Sequence, residues 1–279
     1  MNEAERIEIA AACPDLAYFA DRSGGEIITD AEGRRRQRTH FGADILAGGY
    51  YGDWMSDLIA RLGGVHEPQE EKVFDQALAA MPDGARMLEL GGYWAYYTIW
   101  FLRAVNGGEA AMIEPIDHRR EIGVQNLALN GLSAPVLRAA VGAESSANAA
   151  FATGAETSDG LRIVTVDELL QDFNWPTLDI LHADIQGYEK RMLDGAGESL
   201  KAQKISWVFL STHRGLEDAR RMDLHQHAID TLRDYGYHLV CAHTPEESFS
   251  TDGLVVAKTP GAPGPDSVDI SYRKTGDRS

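Results

Sequence analysis

The amino-acid sequence predicts an α/β fold, a doubly wound and mostly parallel sheet that closes in an antiparallel hairpin. From residue 86 onward, short apolar runs alternate with stretches whose apolar residues recur at helical spacing, which is typical of parallel strands joined by helices. The last two apolar runs, at 237–242 and 253–258, are separated by a loop alone, so they should pair antiparallel. Two of the runs end in a glutamate and flank a Gly-Gly turn, which is typical of nucleoside binding.

The predicted elements divide the chain into three parts. Residues 1–64 show no repeated strand–helix rhythm and are predicted to form an N-terminal cap on the substrate side, with a helix at 53–61. Residues 65–258 are predicted to form the cofactor-binding domain, and the Pro/Gly-rich residues 259–279 a loosely held tail. A helix is predicted at 70–80, ended by the Pro-Asp-Gly turn at 82–84. Further strands are predicted at 86–90, 110–114, 136–141, 178–184 and 207–211, and further helices at 96–104, 118–130, 166–173, 188–195 and 223–235.

Composition restricts the class of protein. Hydrophobic residues make up 44% of the chain and charged residues 25%, which is ordinary for a soluble globular protein. The sequence contains no run of about 18 apolar residues, so it predicts no membrane span. The N-terminus lacks the basic region of a secretory signal. The only cysteines, Cys13 and Cys241, do not suggest a disulfide framework. We therefore expect a cytoplasmic protein without a membrane partner, and leave open whether it forms a homo-oligomer.

The net charge of −17 argues against nucleic acid as a partner, because a polyanion would be repelled on average. One basic run departs from this balance, formed by Arg34, Arg35, Arg36 and Arg38. It could receive an anionic group such as a phosphate. A solvated or ion-pairing face is the favoured interpretation.

Residues 87–100 (MLELGGYWAYYTIW) contain the most informative motif. Glu89 and the Gly91-Gly92 turn end one apolar run, and Glu114, 25 residues after Glu89, ends the next. Glycines let the backbone approach a ligand, and the later carboxylate can accept hydrogen bonds from both ribose hydroxyls. Tyr93-Trp94 follow, where a pyrophosphate would need small residues and bare helix N–H groups. The motif therefore favours S-adenosylmethionine, which has no phosphate and whose sulfonium suits an acid at Glu89.

Together with this motif, three further segments make the chain resemble the FkbM family of S-adenosylmethionine-dependent methyltransferases. The four segments, about half the chain, are HEPQEEKVF at 66–74, LELGGYWAYYTIWF at 88–101, IEPIDHRREIGVQNLALNG at 113–131 and HADIQGYEKRML at 182–193. Many relatives have Gly-Ala-Asn-x-Gly where this chain has Gly91-Gly92-Tyr93-Trp94-Ala95. The resemblance implies a class I, Rossmann-like methyltransferase fold. It also implies O-methylation of a small metabolite such as a sugar, glycoside or polyketide-like compound.

Ligands of an open α/β sheet bind beyond the carboxyl ends of its strands, which selects the candidate cofactor contacts. Glu114 is expected to bind the ribose diol, and the backbone at Val141 to lie along the adenine. His66, Glu67 and Glu70 could line the amino-acid end of the cofactor. The full set of predicted cofactor contacts is Glu67, Glu89, Gly91, Gly92, Tyr93, Glu114, Pro115, Val141, Asp184, Ile185 and Gln186.

Methyl transfer to an alcohol needs a base or a metal ion to remove the proton. His213 is expected at the end of a strand that opens onto the cleft and is predicted to be the base, the alternative being a loop histidine that caps a helix. Asp184 could orient His213, bind the cofactor's amino group or hold a divalent ion. Asp184, Glu189 and His213 could together bind Mg²⁺, although Glu189 could equally face a helix dipole.

Residues outside the cofactor motif are candidates for the acceptor side. The Ser248–Ser250 loop is expected to contact the acceptor, and Tyr50 and Tyr51 form either an aromatic lid or part of the packed cap. Two competing functions remain at this point. They are an NAD(P)-dependent oxidoreductase and a non-catalytic module that binds S-adenosylmethionine.

Overall fold

The computed structural model describes residues 2–153, 156–213 and 223–273, with the backbone alone for 153 and 156–159. The first part of the chain is the cap. Its helix α1 (Glu3–Ala11) begins at a capping box, in which Asn2 and Glu5 each accept a hydrogen bond from the other's backbone N–H. A 3₁₀ turn (Pro14–Phe19), strands β1 (Ile27–Thr29), β2 (Arg35–Arg38) and β3 (Asp44–Leu46), and helix α2 (Asp53–Arg61) follow. The predicted helix at 53–61 is confirmed.

The arginine run comprises Arg34 and strand β2, and its positive charges are paired with carboxylates of the cap. Its four guanidinium groups pair with carboxylates of neighbouring cap residues: Arg34 and Arg36 with Asp30, Arg35 with Asp53, and Arg38 with Asp44. The ion-pairing interpretation of this run is therefore confirmed.

The rest of the chain alternates strands and helices. In chain order the elements are α3 (Pro68–Leu78), β4 (Arg86–Leu90), α4 (Tyr96–Ala104), β5 (Glu109–Ile113), α5 (Asp117–Leu129), β6 (Val136–Leu137), β7 (Ala139–Val141), β8 (Ser146–Thr153), β9 (Glu156–Val164), α6 (Val166–Asp172), β10 (Leu178–Ala183), α7 (Glu189–Asp194), α8 (Gly197–Lys201), β11 (Ile205–Thr212), α9 (Leu224–Asp234), β12 (His238–His243) and β13 (Gly253–Lys258). The helices and strands predicted between 70 and 258 have counterparts with bounds close to those expected, except that the strand predicted at 136–141 is divided into β6 and β7, which belong to different sheets.

Seven strands form the central sheet in the order β12-β13-β11-β10-β4-β5-β6. Neighbouring strands from β11 to β6 pair parallel, whereas β13 pairs antiparallel with both β11 and β12. The doubly wound sheet with a closing hairpin is therefore confirmed. Strand order reverses between β4 and β10, so a crevice opens at their carboxyl ends.

Successive residues of a central strand pack into different layers. Ile180 of β10 packs in the layer that contains Phe74 and Phe209, and Leu181 in the opposite layer with Leu88. All five are fully buried, as expected for a parallel strand covered on both faces. Burial of both layers holds the ends of β4, β5 and β10 in a fixed arrangement.

A small sheet of order β7-β9-β8 beside the central sheet was not expected from the sequence. Its hairpin, residues 146–160, reads SANAAFATGAETSDG and has few of the β-branched and aromatic residues that predict strands. Phe151 is its buried anchor and packs against the ring of Tyr188 with centroids 5.0 Å apart. The hairpin thereby covers one side of the crevice.

The segment after β13 is held against the cap, which corrects the expectation of a loosely held tail as far as residue 273. The backbone N–H of Ser271 donates to Asp15 over 2.7 Å, and Lys72 donates to Asp15 over 2.7 Å and to the carbonyl of Asp269 over 2.6 Å. Val268 and Ile270 are buried. Residues 274–279 of the predicted tail lie outside the described residues.

Cys13 and Cys241 are both buried free thiols. Burial raises the pKa of the Cys241 thiol to about 12. Across the described ranges, no helix has the length and apolar character needed to cross a bilayer.

Candidate active site

A cleft with an empty volume of about 790 Å³, partly open to solvent, lies at the carboxyl ends of β4, β5 and β10. It occupies the crevice where strand order reverses, which is where ligands of open α/β sheets bind. The residues predicted to contact the cofactor are all brought to its wall: Glu67, Glu89, Gly91, Gly92, Tyr93, Glu114, Pro115, Val141, Asp184, Ile185 and Gln186. Their individual contacts with a cofactor stay predictions.

The Gly91-Gly92 turn is required by packing between strands. Gly91 has φ +76°, and a Cβ there would lie 1.9 Å from the backbone oxygen of Asp184. A Cβ on Gly92 would lie 2.2 Å from Cγ of Met112. Both glycines therefore let β4 turn sharply against its neighbours, and this turn forms the floor of the cleft.

Gly91→Ala is expected to destabilise the protein by about 1–3 kcal/mol, because the added methyl overlaps a backbone atom that has no room to move. Chemical unfolding would measure the loss. Gly33→Ala is the matched control, since Gly33 has φ +79° with nothing within 4 Å of the added Cβ. A loss equal to that of the control would mean that backbone conformation alone, and not the close approach to Asp184, requires Gly91.

Glu114 is held in position by the backbone around it. Its Oε1 accepts the N–H of Ile116 over 2.9 Å, and its Oε2 accepts the N–H of Tyr93 over 3.2 Å. The carboxylate is 2% exposed and lines the cleft. The two oxygens of a carboxylate offer about four acceptor positions, so the Glu114 carboxylate can also accept hydrogen bonds from the two hydroxyls of a ribose. Glu114 therefore fits the S-adenosylmethionine that the sequence predicts.

Glu89 lies at the deep end of the cleft. Its Oε2 accepts the backbone N–H of Thr98 over 3.0 Å and also a short hydrogen bond from the Thr98 hydroxyl, near the start of α4. The pKa of Glu89 is raised, because the effect of burial outweighs those of the nearby His182 charge and the Thr98 hydrogen bonds, which lower it. This position places an acid beside the cofactor cleft, as the sequence predicted.

Three polar atoms in the cleft wall are buried without a hydrogen-bond partner among the described residues. They are Tyr97 Oη, His182 Nδ1 and His66 Nδ1. The other nitrogen of His182, Nε2, lies 2.7 Å from Glu70 Oε1. Buried polar atoms are nearly always paired, so three unpaired ones in one cleft indicate a polar ligand. The amino-acid end of S-adenosylmethionine fits Tyr97 Oη and His182 Nδ1, because it carries both a carboxylate and an ammonium group.

His213 lies behind the cleft wall and contacts residues that form it. Its Nδ1 is 2.7 Å from Glu189 Oε1, and its Nε2 is 2.8 Å from Gln186 Nε2 and 3.2 Å from Asp184 Oδ1. Burial lowers the pKa of His213, but the hydrogen bonds to Asp184 and Glu189 outweigh it and hold that pKa well above 6.5. The pKa of Asp184 is lowered, because the bond to His213 outweighs burial. The role of His213 as base stays a prediction.

The same three residues were the predicted magnesium ligands. In the structure their polar atoms are directed at one another, and Glu189 Oε1 also accepts the backbone N–H of Gly187 over 3.0 Å. Within residues 2–153, 156–213 and 223–273, no group of three or more His, Cys, Asp or Glu side chains has the arrangement of a metal site. The geometry does not support Mg²⁺ binding by these residues.

A second cavity, here called the chamber, adjoins the cleft and has an empty volume of about 810 Å³. It lies between the cap and the 249–252 loop. Cleft and chamber share five wall residues: Tyr50, Tyr51, His66, Glu67 and Gln186. Tyr50 is half-buried and stacks on Trp94, with ring centroids 4.3 Å apart, and is part of the packed cap as well as of the shared wall.

The chamber also contains residues that sequence reasoning missed. Arg6 and Trp54 come from α1 and α2, with the guanidinium 5.6 Å from the indole centroid. Asp252 follows the loop that was predicted to contact the acceptor, and burial raises its pKa to about 6. Of that loop, Phe249 and Ser250 line the chamber. No short-range signal pointed to Arg6, Trp54 or Asp252, because the fold alone brings them together.

A doubly wound sheet with an antiparallel hairpin, and with a nucleoside-sized cleft where strand order reverses, defines a class I methyltransferase. The Methyltransferase FkbM domain matches residues 80–239, which is more than half of the chain. The chain therefore belongs to the FkbM methyltransferase family and is an S-adenosylmethionine-dependent methyltransferase.

Several solved structures are similar in fold at low sequence identity. TrmK of M. capricolum, in complex with S-adenosyl-homocysteine, is 12% identical with a TM-score of 0.42 and covers 67% of this chain and 68% of its own. A precorrin-6y C5,15-methyltransferase from Geobacter metallireducens is 15% identical (TM-score 0.41, covering 67% and 88%). A putative O-methyltransferase from Klebsiella pneumoniae is 17% identical (TM-score 0.41, covering 68% and 78%). No curated protein matched the sequence.

Proposed function

We propose that the protein transfers the methyl group of S-adenosylmethionine to a hydroxyl of a small metabolite, such as a sugar, a glycoside or a polyketide-like compound. The observation that carries this proposal is the shared wall between the cofactor cleft and the chamber. A cofactor whose ribose is bound by Glu114 and whose amino-acid end lies near Glu67 and His182 would present its methyl group toward that wall. S-adenosylmethionine supplies an electrophilic methyl carbon there, and the chain's residues bind and orient the two reactants.

The chemistry of the chamber favours an uncharged acceptor. Asp252 of the chamber wall and the nearby Asp184 of the cleft repel a phosphate or carboxylate, and Arg6 is the one cation among the described residues of the chamber wall. Trp54 and Phe249 offer flat apolar faces on which a sugar or aromatic ring can rest.

In this proposal Asp184 and His213 orient the reacting groups, and no metal ion takes part. Asp184 lines the cleft, and His213 lies behind it with a raised pKa, so the pair is suited to orienting groups at the shared wall. We place the reaction in the cytoplasm, because both cysteines are free thiols, as is usual in a reducing compartment.

A screen with methyl-labelled S-adenosylmethionine tests the proposal. We expect label in pools of neutral sugars, glycosides or phenolic compounds, at a hydroxyl oxygen, and equally in the presence of EDTA. Mass spectrometry and NMR of the product would identify the methylated atom. Label found on amines or carboxylates would contradict methylation of a hydroxyl. Normal binding of S-adenosylhomocysteine without any product would instead favour a non-catalytic cofactor-binding module.

A further inference from the structure

His66 lies at the junction of the two cavities and lines both of them. The residue is 7% exposed, and its Nδ1 is buried. The distance from Nδ1 to Glu67 Oε2 is 3.6 Å, which is too long for a hydrogen bond. Neither ring nitrogen forms a hydrogen bond with another residue of the described ranges. A buried imidazole that faces a cavity with its nitrogens unpaired indicates a ligand or substrate contact.

The fold fixes the position of this imidazole. The backbone N–H groups of His66 and Glu67 both donate to Glu71 Oε1 over 2.6 Å. The ring is surrounded by Tyr50, Trp94 and Tyr96, with centroids 5.2, 5.1 and 5.9 Å away. Little reorientation is left to the side chain, so its nitrogens present a constant geometry to both cavities.

The surroundings of His66 favour the neutral imidazole. Burial lowers the pKa of His66, and the opposing charges of Glu71, Asp184 and Glu70 do not offset that effect. The titratable groups that face it from every neighbouring element are Glu67, Glu70 and Glu71 at the start of α3, Asp184 after β10, Tyr50 in the cap and Tyr96 in α4. A neutral imidazole has a lone pair that can accept a proton, whereas His213 has a raised pKa and contacts its neighbours through both nitrogens.

We propose that His66 is the catalytic base, which accepts the proton of the acceptor hydroxyl at the junction of the chamber and the cofactor cleft. This inference rests on the proposed function. As the acceptor oxygen bonds to the methyl carbon, the electron pair of the carbon–sulfur bond stays on sulfur, and the hydroxyl proton passes to His66 Nε2. The nearby charges of Glu71 and Asp184 then stabilise the imidazolium that results.

The first arm of the test needs no acceptor. Long-range proton–nitrogen NMR spectra of ¹⁵N-histidine-labelled protein with S-adenosylhomocysteine bound would follow each imidazole between about pH 5 and 8. His66→Gln assigns the signal. We expect His66 to be neutral at pH 7, with a pKa below its ordinary value of 6.5. A protonated His66 at pH 7 would overturn the proposal.

The second arm uses the alcohol found by the labelled-cofactor screen. His66→Gln is expected to lower kcat by about 10²- to 10⁴-fold and to remove the acidic limb of the pH profile. The affinity for S-adenosylhomocysteine, measured by calorimetry, should change by less than about threefold. His225→Gln is the matched control, because His225 is also buried with a lowered pKa but bonds Thr212 and lines neither cavity.

The outcomes separate this inference from the proposed function. A wild-type product methylated at nitrogen or carboxylate would end the proposed function and with it the need for a base at this position. An O-methylated product formed equally fast by wild type and His66→Gln would overturn the inference alone. A loss of activity that tracks a loss of S-adenosylhomocysteine affinity would make His66 a cofactor-binding residue, and would likewise overturn it.

Discussion

Glu114→Ala is expected to weaken S-adenosylhomocysteine binding by about 100-fold. In the proposed complex the carboxylate accepts hydrogen bonds from both ribose hydroxyls, and hydrogen bonds to a charged group each contribute about 1.5–3 kcal/mol. A total loss of about 3 kcal/mol corresponds to roughly a 100-fold change in Kd. Isothermal titration calorimetry would measure it, with the unfolding free energy of the variant recorded in parallel.

The same carboxylate also accepts the N–H groups of Tyr93 and Ile116, so alanine would loosen the turn as well as remove the ribose contact. A double-mutant cycle separates the two effects. The penalty of Glu114→Ala should be much smaller for a 2′-deoxy analogue of S-adenosylhomocysteine than for the natural compound. An equal penalty for both ligands would show that Glu114 shapes the turn and does not bind the diol.

Glu71→Ala is expected to cause the largest loss of stability, about 3–5 kcal/mol, because it leaves buried partners unpaired. Glu71 Oε2 lies 2.7 Å from His40 Nε2 and accepts the hydroxyl of Tyr96 over 2.9 Å, and both side chains of the His40–Glu71 pair are 0% exposed. Its Oε1 accepts the N–H groups of His66 and Glu67. Chemical unfolding would measure the loss. Glu8→Ala, at an exposed position of α1, is the control and should change stability little.

The pH dependence of stability gives a second test of the role of Glu71. Burial raises the pKa of Glu71, but the hydrogen bond and charge of His40 outweigh it and hold that pKa below its ordinary value of 4.5. A depressed pKa in the folded state means that the contribution is fully present above the unfolded value and is lost as pH falls through the folded one. Wild-type stability should therefore fall below about pH 4.5, and Glu71→Gln should fall less steeply over that range. Parallel curves would contradict this assignment.

Much of the fold could be predicted from the sequence because periodicity is a local signal. The runs that became β4, β5, β10 and β13 are mostly apolar and largely buried, as expected for strands covered on both faces. The cap strands could not be predicted in this way. Strand β1 and strand β3 have three residues each, too few to show a period, and their pairing is stabilised by charges such as Arg38 and Asp44.

The cofactor side of the site was predictable for a different reason. Residues at the carboxyl ends of parallel strands meet wherever the sheet forms, so Glu114 and Asp184 could be assigned from strand order alone. The acceptor side depends on which loops the cap covers, and Arg6, Trp54 and Asp252 meet only in the finished fold. The two histidines illustrate the limit. Strand ends favoured His213 as the base, whereas the proposal for His66 rests on burial and on an unpaired ring nitrogen, which no sequence pattern reports.

The bond between Asp15 and Ser271 has a consequence for how the molecule is made. The two residues are 256 positions apart, and Asp15 also pairs with Lys72, so the cap is completed by the last described residues of the chain. A ribosome adds about 5–20 residues per second, so many seconds pass between synthesis of the N-terminal helices and synthesis of the segment around Ser271 that packs against them. During that interval the apolar faces of the nascent cap are uncovered and open to chaperones. The hydrogen bond between Asp15 and Ser271 can therefore form only after the intervening catalytic domain has been synthesised.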